Sequence, residues 1–305
     1  MTTTVPLLPE ETSDPVKLPG RRRRATGRLR ILFRTPGRVF GVVIIIFFTL
    51  MAIIGPFLYP KNLPINPGDI YATPSLHHPL GTDFEGTDVL ALIVTGARYV
   101  MLSAAIAAVI TMLLGTAAGL AAGYYRGPTD SILMRVTDFI LTIPGFPLLI
   151  VLSSIWDFGS PYQMGLVLGI FGWGGIARAV RSQTMSLRQR SFLEAARGLG
   201  LSNRHIILRE VLPNVAPYIA MNLLLSVTGA VYAEVGLFFL GVVPYSTNNW
   251  GVMLNNAVFD AGAVTSPQAL GYLLSPLVCI LLLTLGFVLV LNAVDEWFNP
   301  RLRSM

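Results

Sequence analysis

Few side chains in this 305-residue chain are equipped for chemistry, and their spacing excludes more than it permits. The single cysteine, Cys279, lies in an apolar run, so no disulfide can close within the chain. Three scattered histidines, His77, His78 and His205, do not assemble with one thiol into a zinc site. The only lysines, Lys17 and Lys61, are not preceded by the glycine-rich turn that cradles a nucleotide phosphate. No G-x-S-x-G, H-E-x-x-H or paired-carboxylate cluster in the apolar spans suggests an enzyme, so covalent, metal-assisted and acid–base catalysis have no constellation there to work with.

One stretch has informative spacing. Ser191, followed three residues later by Glu194, predicts a capping box that starts a helix. Phe192, Ala195, Ala196 and Leu199 then recur on one face at helical spacing. Gly200 is placed to end that helix in a left-handed turn, and Ser202 or Asn203 to cap a second. In the second helix Ile207 pairs with Val211 and Leu208 with Leu212 before Pro213 interrupts it. Spacing leaves open whether these two short amphipathic helices dock onto another protein or fold back on their own bundle.

The elements that must position this stretch are set by composition. With 53% hydrophobic and 12% charged residues, and a mean hydropathy of +0.64, the chain is too apolar for a soluble domain. A bilayer core about 30 Å thick needs about 20 apolar residues per helical crossing. Six such spans are predicted: Val39 to Tyr59, Val100 to Tyr124, Phe139 to Trp156, Met164 to Val180, Ala216 to Val243 and Leu273 to Val294. The fifth is long for one crossing and has room for a separate short helix at its end. The fold class read from this is an all-α membrane protein with six transmembrane helices.

Basic residues are retained on the cytoplasmic side of short loops. With the N-terminus inside, only Lys61 and Arg98 of the 22 basic residues fall outside, and the loop from Pro244 to Tyr272 carries none. Both termini are then cytoplasmic. The same asymmetry accounts for the pI of 9.7 and removes the main argument for a nucleic-acid partner. Arg21 to Arg24 before an apolar run raise a signal-peptide or twin-arginine reading, but no small-residue cleavage site follows and further spans do, so the first span is read as retained. The organisation is a cytoplasmic tail over 1–38, disordered at its start with a basic interfacial helix after it, then the first span and an external segment over 39–97. A five-helix core follows over 98–294, containing the cytoplasmic loop 181–214, and a cytoplasmic tail over 295–305.

The external segment is long for a connection, so a structured or functional role is expected. Thr87 or Asp88 caps an interfacial helix carrying Val89, Leu90, Leu92 and Ile93 in one reading; a ligand site is the alternative. Arg135 and Asp138, three apart, are expected to pair with each other. Pro144 and Pro147 are expected to bend the third span, and Gly165, Gly169, Gly172, Gly174 and Gly175 to allow close helix packing around the fourth.

These residues resemble a family. Glu194-Ala195-Ala196, then Gly200, then Leu212-Pro213 is similar to the loop by which ABC-importer permeases dock on their ATPase, with Glu210 where the broad pattern is apolar. His78, Leu80-Gly81-Thr82-Asp83, Gly86, Asp88-Val89-Leu90 and Gly96-Ala97-Arg98 resemble the DppC/OppC-like branch, the dipeptide and oligopeptide permeases, with Thr87 where that branch usually has arginine. Glu234, Phe239-Leu240-Gly241, Trp250-Gly251-Val252-Met253-Leu254 and Asn299-Pro300-Arg301-Leu302-Arg303 extend the likeness.

The resemblance implies the type I ABC-importer permease fold in a bacterial inner membrane. It implies no cofactor or catalysis in this chain, with ATP and Mg on two partner ATPase subunits. It further implies a second homologous permease, in a heterodimer, and an external substrate-binding protein, in a bilayer and without nucleic acid. Glu194, Ala195, Ala196, Gly200, Leu212 and Pro213 would form the docking unit. For Glu234 two readings stay open. One places it at the translocation path or outer gate; the other, slightly favoured, has it capping a short helix, Val235 to Leu240, near the wet outer surface. Peptide is the implied cargo, with nickel, glutathione or opines as alternatives on the same architecture. An ion-driven secondary transporter is the rival from another class; it would need several ionisable mid-membrane sites and inverted repeats. A membrane-embedded hydrolase lacks its catalytic cluster.

Overall fold

The computed structural model describes residues 35–60, 63–156, 158–243 and 248–298, with the side chains of 295–298 set aside. The tail expected to be disordered and the basic interfacial helix lie outside the described residues, as does the ending from Asn299. The described residues are helical, with no strand beyond an isolated bridge between Thr82 and Asp88. Four helices are long and apolar enough to cross a membrane, or up to six if each of two bent pairs is one span.

Helix α1 (Pro36–Leu58) starts on a proline, whose missing N–H costs nothing in the first turn. It packs antiparallel on α10 (Leu270–Phe298) through Gly41 and Gly286, where an added Cβ would lie 2.6 Å from Leu289 and 2.8 Å from Ile44. Pro36 and the far end of α10 therefore sit at the same end of the bundle.

Helix α2 (Val89–Tyr125) is the spine. At 37 residues it is about 55 Å long, well beyond the apolar thickness of a bilayer. The expected interfacial helix at Val89 and the second span are thus one element, because Asp88 caps it and nothing breaks it after Ile93. Asp88 Oδ1 accepts the Leu90 N–H at 2.8 Å and the Ala91 N–H at 3.4 Å.

Helices α3 (Gly127–Thr142) and α4 (Gly145–Ser153) meet at a 75° bend centred on Ile143-Pro144, so the third span bends where proline was expected to bend it. Helices α5 (Pro161–Gly172) and α6 (Gly174–Arg188) bend by 45° at Trp173. The α5–α6 pair lies along α2. Gly165 and Gly169 bring α5 onto α2, an added Cβ reaching to 2.7 Å of the Ser103 carbonyl and 2.6 Å of Ile110, while Gly175 faces open space.

The sequence reading missed the other half of this seam. Gly115, Gly119 and Gly123 recur every fourth residue of α2, and a Cβ on each would fall within 2.7 Å of Ile176, Val180 and Thr184 of α6. Gly119→Val is accordingly expected to destabilise the bundle by roughly 1–3 kcal/mol, the usual range for overpacking. Thermal unfolding in detergent reads it, and an unchanged melting temperature would remove the seam from the packing argument.

Arg135 and Asp138 do not pair. Asp138 accepts from Arg178 at 2.6 Å, and Asp130 receives Arg181 in a bidentate pair at 2.5 and 2.6 Å. Both acids of α3 are thus taken by α6, where a planar fork across two helices gives better geometry than a neighbour on the same helix.

The fifth long element, α8, runs continuously over Asn203–Phe239. Pro213 does not interrupt it, and the span does not end in a separate short helix, since Val235 to Phe239 continue the same one. Residues Ile206–Val211 form a π-helical stretch, the Leu212 N–H reaching back five residues to the Ile207 carbonyl. A proline ring clashes with the carbonyl four residues back in an α-helix, and the wider turn relieves that clash. Helix α9 (Trp250–Phe259) then precedes α10.

Candidate functional site

Chemistry-bearing residues gather at opposite ends of the bundle. At one end α7 (Ser191–Gly198) joins α6 to α8. Its first turn is not closed by a capping box: Arg190 occupies the cap without a side-chain bond, and Ser191 lies inside the helix. Its end is as expected. Gly200 adopts φ +73, and two bonds close a Schellman turn, Gly200 N–H to the Arg197 carbonyl at 2.9 Å and Leu201 N–H to that of Ala196 at 3.3 Å. Ser202 then caps α8, accepting the His205 N–H at 3.3 Å.

The two faces of this unit divide differently from the expected stripe. Leu193, fully buried, and Ala196 point inward and pack with Ile206, Val211, Val215, Leu120, Tyr124 and Val180. The π-helical spacing sets Ile206 and Val211 together on that inner face. Phe192 (40% exposed), Ala195 and Leu199 (79%) point outward with Glu194, and Leu201 and Leu208 continue the exposed apolar surface. Of the other sequence-predicted residues, Gly200 forms the turn, Leu212 is half-buried and Pro213 exposed. Glu210 is half-buried, and its carbonyl accepts Asn214 Nδ2 at 2.6 Å. The unit is tied to α2 at one further point, where the Tyr124 hydroxyl donates to Asn203 Oδ1 at 2.8 Å.

At the opposite end a cleft of about 750 Å³ opens between the segment before α2, the start of α5 and the turn into α9. Asp83, Glu85, Arg98, Tyr99, Asn249 and Tyr272 are among its lining residues. The Leu80–Asp88 segment on its wall is folded by its own polar groups. Asp83 Oδ1 accepts the N–H groups of Glu85 and Thr87 at 2.9 and 2.7 Å, and Thr82 Oγ1 accepts that of Ala72 at 2.7 Å. Gly86, at φ +78, abuts the Asn66 carbonyl, where any side chain would overlap it.

Burial pushes the Asp83 carboxyl above its ordinary value of 3.8, against the two backbone donors that act the other way. A raised carboxyl favours the folded segment most at pH below 3.8, and that contribution is lost as pH rises through the folded value. Asp83→Asn, which keeps the acceptor oxygen, is therefore expected to melt no lower than wild type at neutral pH, the gap closing as pH falls. A pH series of melting temperatures in detergent checks the slope.

Glu234 contradicts the capping reading. It lies inside α8, fully buried, rather than at the start of a wet outer helix. Its Oε1 accepts Asn249 Nδ2 at 2.5 Å and its Oε2 accepts the Ser103 hydroxyl. Asn249 also caps α9 through the Gly251 N–H at 2.7 Å, and Trp250 Nε1 donates to the Ile93 carbonyl at 3.0 Å. Ser103 and Asn249 were missed; an asparagine directly before an apolar helical run was the available signal for the second.

Residues 115–304 match the family described as the binding-protein-dependent transport system inner membrane component, and residues 27–74 match the N-terminal transmembrane domain of oligopeptide transport permease C. This chain belongs to that permease family. Among its relatives, the oligopeptide permease OppC of Lactococcus lactis subsp. cremoris is 29% identical over 263 residues, spanning 85% of this chain and 88% of the relative. OppC of Mycobacterium tuberculosis is 37% identical over 198 residues, 63% and 68% of the two chains. The dipeptide permease DppC of Bacillus subtilis is 33% identical over 231 residues, 72% and 68%. The protein is a multi-pass inner-membrane permease of the DppC/OppC-like branch, and its relatives are transport proteins rather than enzymes.

Proposed function

We propose that this permease is one translocation subunit of an ATP-driven importer for di- or oligopeptides. It crosses the membrane six times, each bent pair counting as one span, with both termini and the α7 unit cytoplasmic and the 750 Å³ cleft external. It pairs with a second, homologous permease. Two ATPase subunits carry ATP and Mg on the cytoplasmic side, and a binding protein delivers cargo outside. The docking unit comprises Glu194, Ala195, Ala196, Gly200, Leu212 and Pro213.

The observation that carries this reading is the two-sidedness of α7 and the start of α8. The inner face is locked into the bundle through Leu193, Ala196, Ile206, Val211 and Val215, while the outer face leaves Phe192, Leu199 and Leu208 apolar and exposed. A self-packed loop would not leave that second face uncovered. Force applied there enters α8, a continuous helix about 55 Å long that ends beside the cleft, where Glu234 holds Asn249. A push from a closing ATPase dimer thus has a stiff path to the outer mouth.

Phe192→Ser tests the docking face, because Phe192 contributes little to the bundle's own core. Truncating an aromatic anchor of this kind is expected to weaken ATPase co-purification about tenfold. The permease's melting temperature should stay unchanged. Undiminished co-purification would return the unit to a self-packed loop.

A further inference from the structure

Near its start, helix α8 carries one residue more than an α-helix fits between two of its inward-facing positions. Val211 and Val215 are four apart, about 40° from each other on an α-helix, and share the buried face. Ile206 and Val211 are five apart, which in an α-helix would set them about 140° from each other. Both are nonetheless fully buried in the same apolar cluster, because the π-helical stretch Ile206–Val211 absorbs the extra residue.

Apolar burial does not by itself choose that stretch. Ile206, Ile207 and Leu208 are three aliphatic residues in a row. A plain α-helix running back from Val211 would turn Ile207 and Leu208, four and three residues before it, toward the bundle and Ile206 away from it. An aliphatic side chain is buried either way. The two registers differ in what they present outside. The π register leaves Leu208 exposed, along with Phe192 and Leu199. The α register takes Leu208 inward and turns the base of α8 by about 100°, carrying α7 with it through the hydrogen-bonded turn at Gly200.

Pro213 separates the two. In the α register its ring meets the Arg209 carbonyl four residues back, whereas the observed turn is widened there, with the Leu212 N–H reaching the Ile207 carbonyl. Pro213 is itself exposed and lies outside the apolar cluster, so it adds nothing to the packing of the core. We infer that Pro213 is a positioning residue: it holds α8 in the π register and thereby phases Phe192, Leu199 and Leu208 into one outer face. It acts through the backbone of α8, not through a contact of its own ring. The value of that phasing rests on the proposed docking of α7; the choice of register does not.

The first arm of the test uses the full-length permease alone in detergent, with Cys279→Ser as background and a maleimide as probe. Ile206→Cys and Leu208→Cys are introduced one at a time. With Pro213 present, Leu208→Cys should label and Ile206→Cys should be protected. Adding Pro213→Ala should reverse the pattern, and this variant should melt no lower than wild type. Adding Pro213→Ala with Glu210 deleted should restore it, because Ile206 and Val211 are then four apart in an unbroken α-helix.

The second arm measures co-purification of the ATPase subunits without the added cysteines. Pro213→Ala should weaken it about tenfold, as for the loss of one apolar anchor, and the deletion should recover most of that. A general structural lesion would not be repaired by a second one. Unchanged labelling in Pro213→Ala would overturn the inference, since the proline would not be choosing the register. Restored labelling with co-purification still lost would overturn it too, making Pro213 a direct contact. Reversed labelling with undiminished co-purification would remove the phasing role. Phe192→Ser then tells the two readings apart: if it too co-purifies normally, the docking of α7 has failed, and if it does not, only the phasing has.

Discussion

Gly200→Val is expected to lower uptake roughly a hundredfold while the bundle stays folded, at about tenfold for each of two misplaced apolar anchors. The reason is conformational rather than steric. Gly200 sits at φ +73 with open space where a Cβ would stand, so the added side chain meets no neighbour. The cost lies in the left-handed backbone itself, about 1–2 kcal/mol for a residue with a Cβ and more for a β-branched one. Valine releases that strain by abandoning the Schellman bonds at 2.9 and 3.3 Å that set the angle between α7 and α8. Phe192 and Leu199 then no longer share a surface with Leu208. The inner contacts of Leu193 and Ala196 are not touched, so the melting temperature should fall only slightly. Gly200→Asn, which tolerates the left-handed region, should keep most of the uptake. Normal transport by the valine variant would show that the turn angle is irrelevant to coupling.

Much of this architecture was readable before any coordinates. Apolar runs of the right length located the membrane helices to within a few residues at most ends, and the bend at Pro144, the turn at Gly200 and the cap at Ser202 follow from local backbone chemistry alone. The failures share a different physics. An eight-residue helix with Phe192, Leu193, Ala195 and Ala196, and with Leu199 directly after it, has apolar residues on more than one side, so periodicity cannot fix which side faces in. The burial of Leu193 was decided by Ile206, Val211 and Tyr124, which lie elsewhere in the chain. Pro213 was read as a break because an α-helix has no room for it, yet a π-helical turn makes that room at no sequence signature. Asp138 was given to its neighbour Arg135, when a better-oriented guanidinium stood forty residues away on α6.

The same contrast separates the two ends of the molecule. At the α7 end the six residues proposed for docking lie within twenty positions, so a local family likeness could bring them into one unit where spacing gave only two short helices, and the structure added which side of that unit is exposed. At the cleft, Ser103 and Glu234 are 131 residues apart and meet only because the α2 spine passes α8 there. No periodicity encodes such a meeting, and a carboxyl in an apolar run was therefore assigned the cheapest local role, a cap near water.

Glu234→Ala is the second large effect, and its pairing with Glu234→Gln decides what the residue is for. Alanine leaves Asn249 Nδ2 buried without an acceptor and opens a void between α2, α8 and α9. Ser103 has an alternative in the Tyr99 carbonyl at 2.8 Å, but Asn249 has none among the described contacts. A lost buried hydrogen bond and a core truncation together place the expected destabilisation at about 3–5 kcal/mol. The start of α9 should loosen with it, since Asn249 is its cap, and hydrogen exchange over residues 248–255 reads that loss directly. Glutamine keeps the volume and the acceptor for Asn249, and its amide nitrogen can donate to the Ser103 oxygen once that hydroxyl turns to Tyr99. If Glu234 serves by positioning, Glu234→Gln should melt near wild type and transport normally. If it stands on the translocation path and acts through its charge, the glutamine variant should fold equally well and fail to transport. The geometry favours the first outcome, because both carboxyl oxygens are already engaged with this chain's own helices and the group has no exposed surface to offer a passing substrate.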